Sequence, residues 1–317
     1  MGTKTQYLVT GGAGFIGSHL VQALVESGQT VRVLDNLSTG KRENLSGLDD
    51  NLEFIEGDLT DFRSVEQAMQ GISVVFHQAA LPSVPRSIED PLGSHHANAT
   101  GTLNVLTAAK TAGVRRVIYA SSSSAYGDTP VLPKVETMAP MPLSPYAVSK
   151  LAGEYYCQVF SHVYNLETVS LRYFNVFGPK QDPHSQYSAV IPKFIAMYLR
   201  GQSPTIDGDG EQTRAFAYID NVVQANLLAA KANNVSGGVF NISVDTRISL
   251  NELDAKLREY VGVSDSVKPT YGPSRAGDIK HSYADISKAI TLLGYKVAVP
   301  TDEGLRRTVA WYRTQLG

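Results

Sequence analysis

The chain has 317 residues, 43% of them hydrophobic, which is enough apolar material for one large or two intimately packed domains. Its 28 basic and 30 acidic side chains leave a formal net charge of −2, so no whole-chain electrostatic force favours nucleic acid or an anionic membrane. A single cysteine, Cys157, excludes an intramolecular disulfide and a thiolate metal cluster, and its best reading is a small apolar side chain in a protein of the reducing cytoplasm.

Met1 to Gln6 leads straight into an apolar run, with nothing long enough for a signal peptide or a membrane span. Gly2 opens like a myristoylation signal, but Gln6 stands where that signal needs Ser or Thr. Tyr7 to Thr10 is then predicted as a buried strand, and Ile16, Leu20 and Leu24 follow at helical spacing. Further strands are predicted at Thr30–Leu34, Leu52–Glu56, Ser73–His77 and Arg116–Ala120, with helices over Ser94–Ala112 and Pro145–Tyr164. Strands alternating with helices imply right-handed crossovers. The expected fold class is therefore α/β, a doubly wound parallel sheet with its ligand at the carboxyl ends of the strands. After Arg172 the pattern loosens into Gly-, Pro- and Asp-rich loops, with helices near Val190–Arg200, Asn221–Ala232, Leu250–Val261 and Asp302–Leu316. Residues 1–172, with returning segments near 212–242, are expected to form the dinucleotide-binding part. Residues 173–317 are expected to be mainly a smaller mixed α/β cap.

The first strand runs into Gly11-Gly12-Ala13-Gly14-Phe15-Ile16-Gly17. Gly11, Gly14 and Gly17 recur every third residue. One lets the chain turn at the strand end, one lets backbone approach a pyrophosphate, and one lets the helix pack on the sheet. Alone this triplet is weak evidence, but it lies between a strand and a helix, as a dinucleotide turn requires. The second strand ends at Asp35, 18 residues past Gly17, followed by Asn36 rather than Arg. A carboxylate there accepts from both ribose hydroxyls and repels a 2′-phosphate, which favours NAD over NADP. Asp58 is placed to reach the adenine edge, or else is an ordinary turn or cap residue.

Tyr146 and Lys150 are four apart at the start of the long helix, so they share a face. A free phenol, with pKa near ~10, is a poor base at neutral pH, but a neighbouring ammonium and a cationic nicotinamide both favour its ionised form. Tyr146 is thus a credible general base for a sugar hydroxyl. Such a pair by itself is usually only an amphipathic face. The glycine turn, the acidic strand end and the serine run Ser121-Ser122-Ser123-Ser124 change that weighing.

With these elements assembled, the sequence resembles the extended short-chain dehydrogenase/reductases, and among them the UDP-hexose 4-epimerases, along nearly its whole length. The resemblance is carried by the glycine turn, Asp35-Asn36-Leu37-Ser38-Thr39-Gly40, His77-Gln78-Ala79-Ala80 and Asn98-Ala99-Thr100-Gly101-Thr102. The serine run, Tyr146-x-x-x-Lys150 and Arg172-Tyr173-Phe174-Asn175-Val176-Phe177-Gly178-Pro179 complete it. It implies an NAD-dependent isomerase in which Tyr146 is the base, Ser122 the catalytic serine and Lys150 the ligand of the nicotinamide ribose. It also implies that the cofactor is held by Gly11, Gly14, Phe15, Ile16, Gly17, Asp35, Asn36, Ser38, Thr39, Gly40, Asp58, Leu59, Gln78, Ala79, Ala80, Asn98 and Tyr173. The implied substrate contacts are Ser83, Ser122, Ser123, Ser124, Asn175, Ala189, Val190, Arg214, Arg275, Asp278 and Ser282. One departure stands out: Ala215 follows Arg214 where relatives carry Asp, which puts the local support of that loop in doubt.

Related dehydratases carry Thr-Asp-Glu where this chain has Ser122-Ser123-Ser124, and serines cannot remove a C5 proton and expel a hydroxyl. The resemblance therefore implies simple C4 inversion through a 4-keto sugar. Ser282 stands where glucose-restricted relatives carry Tyr, which leaves room for a 2-acetamido group, and Gln181 to Pro192 resembles the branch preferring N-acetylated substrates. UDP-GlcNAc/UDP-GalNAc is the expected pair, with UDP-Glc/UDP-Gal also open. A UDP-uronate, met by Arg86 or Lys193, is an alternative substrate. A UDP-sugar decarboxylase or reductase, or a non-catalytic NAD sensor that kept the fold, are rival functions. No metal is expected, since His95 and His96 point apart on a helix and Asp207-Gly208-Asp209-Gly210 lacks the remaining ligands of a calcium loop. A homodimer through the helices near 98–112 and 145–164 is expected by resemblance alone.

Overall fold

The computed structural model describes residues 6–183, 189–264, 266–274 and 280–316. Its centre is a sheet of seven parallel strands: β1 (Tyr7–Thr10), β2 (Val31–Asp35), β3 (Leu52–Glu56), β4 (Val74–His77), β5 (Arg116–Ser122), β6 (Glu167–Tyr173) and β7 (Gly238–Ile242). Their spatial order is β7-β6-β5-β4-β1-β2-β3. The chain winds outward from β1 in one direction and from β4 in the other, so a crevice opens between β1 and β4, where Thr10 lies opposite His77. The inner strands read as continuous apolar runs because helices cover both faces.

One face packs on Val65, Ala68, Val105, Leu106, Cys157 and Phe160 from the helices Phe62–Ala68, Gly101–Ala112 and Pro145–Tyr164. The other is covered by the helices Phe15–Glu26 and Ile219–Lys231. Its core runs without a break into the second half of the chain, through Phe177, Phe194, Phe216 and Leu253. There, short strands and the helices Val190–Leu199, Leu250–Val261 and Thr301–Leu316, which pack on one another, form a smaller unit continuous with that core. Ser144 caps the long Pro145–Tyr164 helix by accepting from Ala147 N–H at 3.1 Å, Pro145 presets its first turn, and Asn165 ends it in a left-handed conformation.

The doubly wound architecture expected from the sequence is the one found. The predicted Ser94–Ala112 helix proves to be three pieces: Pro91–His95, a π-type turn at His96–Thr100, and Gly101–Ala112. A π turn adds one residue without breaking the helical pattern, so periodicity does not report it. The helices Phe62–Ala68, Val84–Glu89 and Ser287–Leu293 are too short to establish a period, so hydrophobic spacing does not report them. Among the described residues no helix is long and apolar enough to cross a membrane, and no His/Cys/Asp/Glu group could hold a metal ion.

Candidate active site

The glycine turn lines the crevice. Gly11 has φ +69°, and a Cβ there would lie 2.6 Å from Ala79 Cα across the crevice. A Cβ on Gly17 would lie 2.1 Å from the Gly11 carbonyl oxygen, and one on Gly14 3.2 Å from the same atom. Gly14 opens the Phe15–Glu26 helix with no side-chain cap, so the first-turn N–H groups are left to an outside acceptor. Phe15 and Ile16 are the first two residues of that helix.

Asp35, buried at the end of β2, receives Ala13 N–H on Oδ2 (2.9 Å) and Leu37 N–H on Oδ1 (2.8 Å). Each oxygen keeps a lone pair for a further donor, such as a ribose hydroxyl. Asn36 donates to Asp58 Oδ2 at 2.6 Å and accepts Ser38 N–H at 3.0 Å. Asp58 also receives the Thr60 N–H and hydroxyl. Burial opposes its charge, but these hydrogen bonds outweigh it and hold the carboxyl below its usual range. Ser38 and Thr39 are exposed, whereas Gly40 packs within 2.9 Å of Ala13 for an added Cβ, and Leu59 is buried. A cradle that any Cβ would fill, an uncapped helix start and a half-satisfied carboxylate together fit a dinucleotide without a 2′-phosphate.

Opposite, the Pro145–Tyr164 helix presents Tyr146 and Lys150. The Tyr146 phenol lies beside Ser122 at the end of β5, near enough for the serine to favour its ionised form. Burial pushes its pKa up and the serine pulls it back. The Lys150 ammonium lies 4.6 Å above the Tyr119 ring, and burial draws its pKa down to about 7. Desolvation thus opposes the charge on both groups, where the sequence suggested only mutual support. The serines separate by partner. Ser121 donates to buried Glu154 at 2.8 Å, and Ser122 accepts from the Ser124 hydroxyl at 2.8 Å and its N–H at 3.2 Å. Ser123 lies half-buried at the start of the next turn. Ser83 has φ 98° and caps the Val84–Glu89 helix.

Three side chains close the floor beside β4. Tyr173 OH lies 3.1 Å from Gln78 Oε1, Asn226 Nδ2 donates to Tyr173 OH at 2.8 Å, and Gln78 Nε2 donates to Asn226 Oδ1 at 3.0 Å. Asn226 escaped sequence reasoning; only its place as a buried amide inside an apolar helix hinted at a role. Glu154 was missed too, although it continues the helical spacing one turn beyond Lys150. His77 is neutral and fully paired. Thr102 donates to the Asn98 carbonyl and so accepts from His77 Nε2 (2.9 Å), which leaves Nδ1 to accept from Thr10 Oγ1 (2.7 Å). Asn98, in the π turn, clamps Leu81 through both its N–H and carbonyl and donates to Ser149, which itself bonds the Tyr146 carbonyl. Ala79 and Ala80 lie between these groups, with Ala79 N–H directed to Thr10 Oγ1 at 3.3 Å.

In the second half, a cavity of about 260 Å³ brings together Asn175, Ala189, Val190 and Arg214, with Lys193 and Gln212 also in its wall. Arg214 sits on a two-residue strand whose parallel neighbour places Ser282 directly beside it. The guanidinium donates to the carbonyls of Thr213 (2.9 Å) and Lys280 (3.1 Å). Ala215 takes over the bracing with its backbone: its carbonyl accepts from Asn175 Nδ2 and its N–H donates to Ser282, both at 3.1 Å. Arg275 and Asp278 lie outside the described residues.

A glycine-lined switch-point crevice faced by a helix carrying Tyr and Lys defines a nucleotide-cofactor protein of the extended short-chain dehydrogenase/reductase class. Residues 7–243 match the model of the NAD dependent epimerase/dehydratase family. The chain is 39% identical over 308 residues to a putative UDP-glucose 4-epimerase of Methanocaldococcus jannaschii, covering 96% of this chain and 98% of that one. Its structure superposes with TM-score 0.93 on a UDP-N-acetylglucosamine 4-epimerase from Methanobrevibacter ruminantium M1 in complex with UDP-N-acetylmuramic acid, at 42% identity over 99% of each chain. The Thermotoga maritima UDP-glucose 4-epimerase with UDP-glucose gives TM-score 0.93 at 40% identity, over 98% of this chain and 100% of that one. The chain belongs to the NAD-dependent epimerase/dehydratase family, and its cofactor is NAD.

Proposed function

We propose that this protein inverts C4 of a UDP-sugar, with UDP-GlcNAc and UDP-GalNAc as its preferred pair. The observation that carries the reading is the Tyr146 phenol set beside Ser122, close enough for Ser122 to lower its pKa, with buried Lys150 one turn further on the same helix face. Tyr146 takes the proton of the sugar O4, and Ser122 holds that oxygen beside the phenol. Bound NAD supplies the acceptance of a hydride from C4 and its return. Lys150 holds the nicotinamide ribose; Asp35 and Asn36 hold the adenosine end with Ser38, Thr39, Gly40, Asp58 and Leu59; and Gln78, Ala79, Ala80, Asn98 and Tyr173 form the inner wall. Because the hydride must return to the opposite face, the nucleotide is gripped while the sugar turns.

The grip falls to the cavity residues Asn175, Ala189, Val190 and Arg214, joined by Arg275 and Asp278. An arginine fork suits a diphosphate. Ser83, Ser123, Ser124 and Ser282 border the sugar. The small Ser282 beside Arg214 supports an acetamido substrate, as does the likeness to a UDP-N-acetylglucosamine 4-epimerase. In this reading residues 1–172, with segments from 212–242, carry the cofactor and residues 173–317 mainly the substrate. The protein works in the cytoplasm as a homodimer. Support for the dimer comes from the exposed Ile88, Leu92, Val148, Tyr155, Val159 and Val163.

The test is a panel of UDP-GlcNAc, UDP-Glc and UDP-glucuronate offered to the purified protein and to Ser282→Tyr. Conversion of UDP-GlcNAc at the highest kcat/KM, lost selectively in Ser282→Tyr, supports the reading. Equal loss on UDP-Glc, or a preference for the uronate, refutes the acetamido assignment. No conversion despite bound NAD leaves a cofactor sensor.

A further inference from the structure

Tyr119 stands on β5, faces the helix that carries Tyr146 and Lys150, and is wholly buried. Its ring face lies 4.6 Å from the Lys150 ammonium, and its hydroxyl donates to the Lys150 backbone carbonyl at 3.0 Å. One side chain thus meets both ends of the lysine. The helix makes room for it at Gly153, where an added Cβ would lie 2.6 Å from Tyr119 Cζ. Glycine is a poor helix former, so its place inside this helix reflects that close approach.

A buried ammonium needs a partner of negative character. Glu154, four residues on, is taken by Arg172 from β6 and by Ser121. The other titratable groups about Lys150 give no countercharge near neutral pH. His77 from β4 is neutral, burial pushes the Cys157 thiol up to about 12, and burial opposes ionisation of the Tyr146 and Tyr119 phenols. His95 and His96, on elements that pack against the same helix, are exposed. The electron-rich ring face of Tyr119 supplies negative character where these groups do not. We propose that Tyr119 is a positioning residue for the reaction, its ring holding the Lys150 side chain as an ammonium and its hydroxyl fixing the helix at that residue. The proposal rests on the reading of Tyr146 and Lys150 as partners in the proton transfer. A held ammonium favours the Tyr146 phenolate; without the ring, Lys150 loses its proton at lower pH and that support goes with it.

NMR titration of the NAD-loaded protein with isotope-labelled lysine ε-carbons tests this, the Lys150 signal being assigned by its absence in Lys150→Met. In Tyr119→Leu the titration midpoint of Lys150 should fall by about one pH unit, whereas Tyr119→Phe keeps the ring and should keep the midpoint. The alkaline limb of kcat against pH, on UDP-GlcNAc or UDP-Glc, should move down in Tyr119→Leu by a similar interval. A wild-type midpoint in Tyr119→Leu overturns the proposal. An equal fall in Tyr119→Phe does so too, since the hydroxyl rather than the ring would then hold the charge. A kcat lowered by one factor at every pH, with the midpoint unmoved, is a packing effect and also overturns it. Should Tyr119→Leu fail to fold, Tyr119→Met fills the space with a flexible apolar chain and carries the same expectation. Full kcat in Lys150→Met sinks the reading of Lys150 as a partner of Tyr146, a separate result from the midpoints.

Discussion

Arg172 grips Glu154 with two hydrogen bonds, Nε to Oε2 at 2.9 Å and a terminal nitrogen to Oε1 at 2.6 Å, and both side chains are buried. Glu154 belongs to the Tyr-Lys helix and Arg172 to β6, while Ser121 at the end of β5 donates to the same carboxylate. The guanidinium also stacks 4.5 Å from the Tyr126 ring. This knot fixes the helix that carries Tyr146 to the two strand ends beneath it. Glu154→Ala strands a buried guanidinium and should cost roughly 3–5 kcal/mol of stability, read from urea denaturation. A loss under about 1 kcal/mol, the range of a surface pair, would show that the pair does not hold these elements together.

Tyr146→Phe removes only a hydroxyl from a half-buried ring. Turnover should fall roughly a hundred- to ten-thousandfold, while NAD released on denaturation stays at the wild-type amount per chain. An active phenylalanine variant would take Tyr146 out of the proton transfer.

Gly17→Ala should empty the cofactor site. The new methyl would stand 2.1 Å from the Gly11 carbonyl oxygen, and the turn must shift to admit it. The purified variant is expected to carry little NAD while its far-ultraviolet circular dichroism is retained. Full NAD occupancy would show that the turn yields without loss.

His77 makes a defined contribution to acid sensitivity. Burial, aided by the Lys150 charge, lowers its pKa from 6.5 to about 3. Between those values the unfolded chain holds a proton that the folded one refuses, so stability falls as pH drops from 6.5 toward 3 and is intact above 6.5. Urea unfolding of His77→Gln from about pH 7 to pH 4 should start from a lower stability yet decline less steeply than wild type. Parallel declines would mean that His77 keeps its proton when folded.

Val148, Tyr155, Val159 and Val163 recur on one outward face of the Pro145–Tyr164 helix, all exposed. Val159→Glu should convert a dimer to a monomer in sedimentation equilibrium, with Tyr146 and its surroundings untouched. A wild-type protein that sediments as a monomer would refute the dimer directly.

Much of this was legible in the chain. The strands Tyr7–Thr10, Val31–Asp35 and Val74–His77 are short and mostly apolar, and Gly11, Asp35, Tyr146 and Lys150 sit at fixed distances from strand or helix ends, so local patterns locate them. The serine run was not resolvable that way, since four like residues in a row differ only in their tertiary partners, Glu154 for Ser121 and Tyr146 for Ser122. Asn226 meets Gln78 across 148 positions, and no local spacing encodes such a contact. Ala215 looked like a lost brace because its side chain was compared with an aspartate, whereas the backbone does the bracing.

The Gln78–Tyr173–Asn226 triangle draws on three distant stretches of the polypeptide. The seventh strand, which shields the edge of β6, comes later still. The inner wall of the crevice is accordingly complete only once residues 78, 173 and 226 have all been synthesised and brought together.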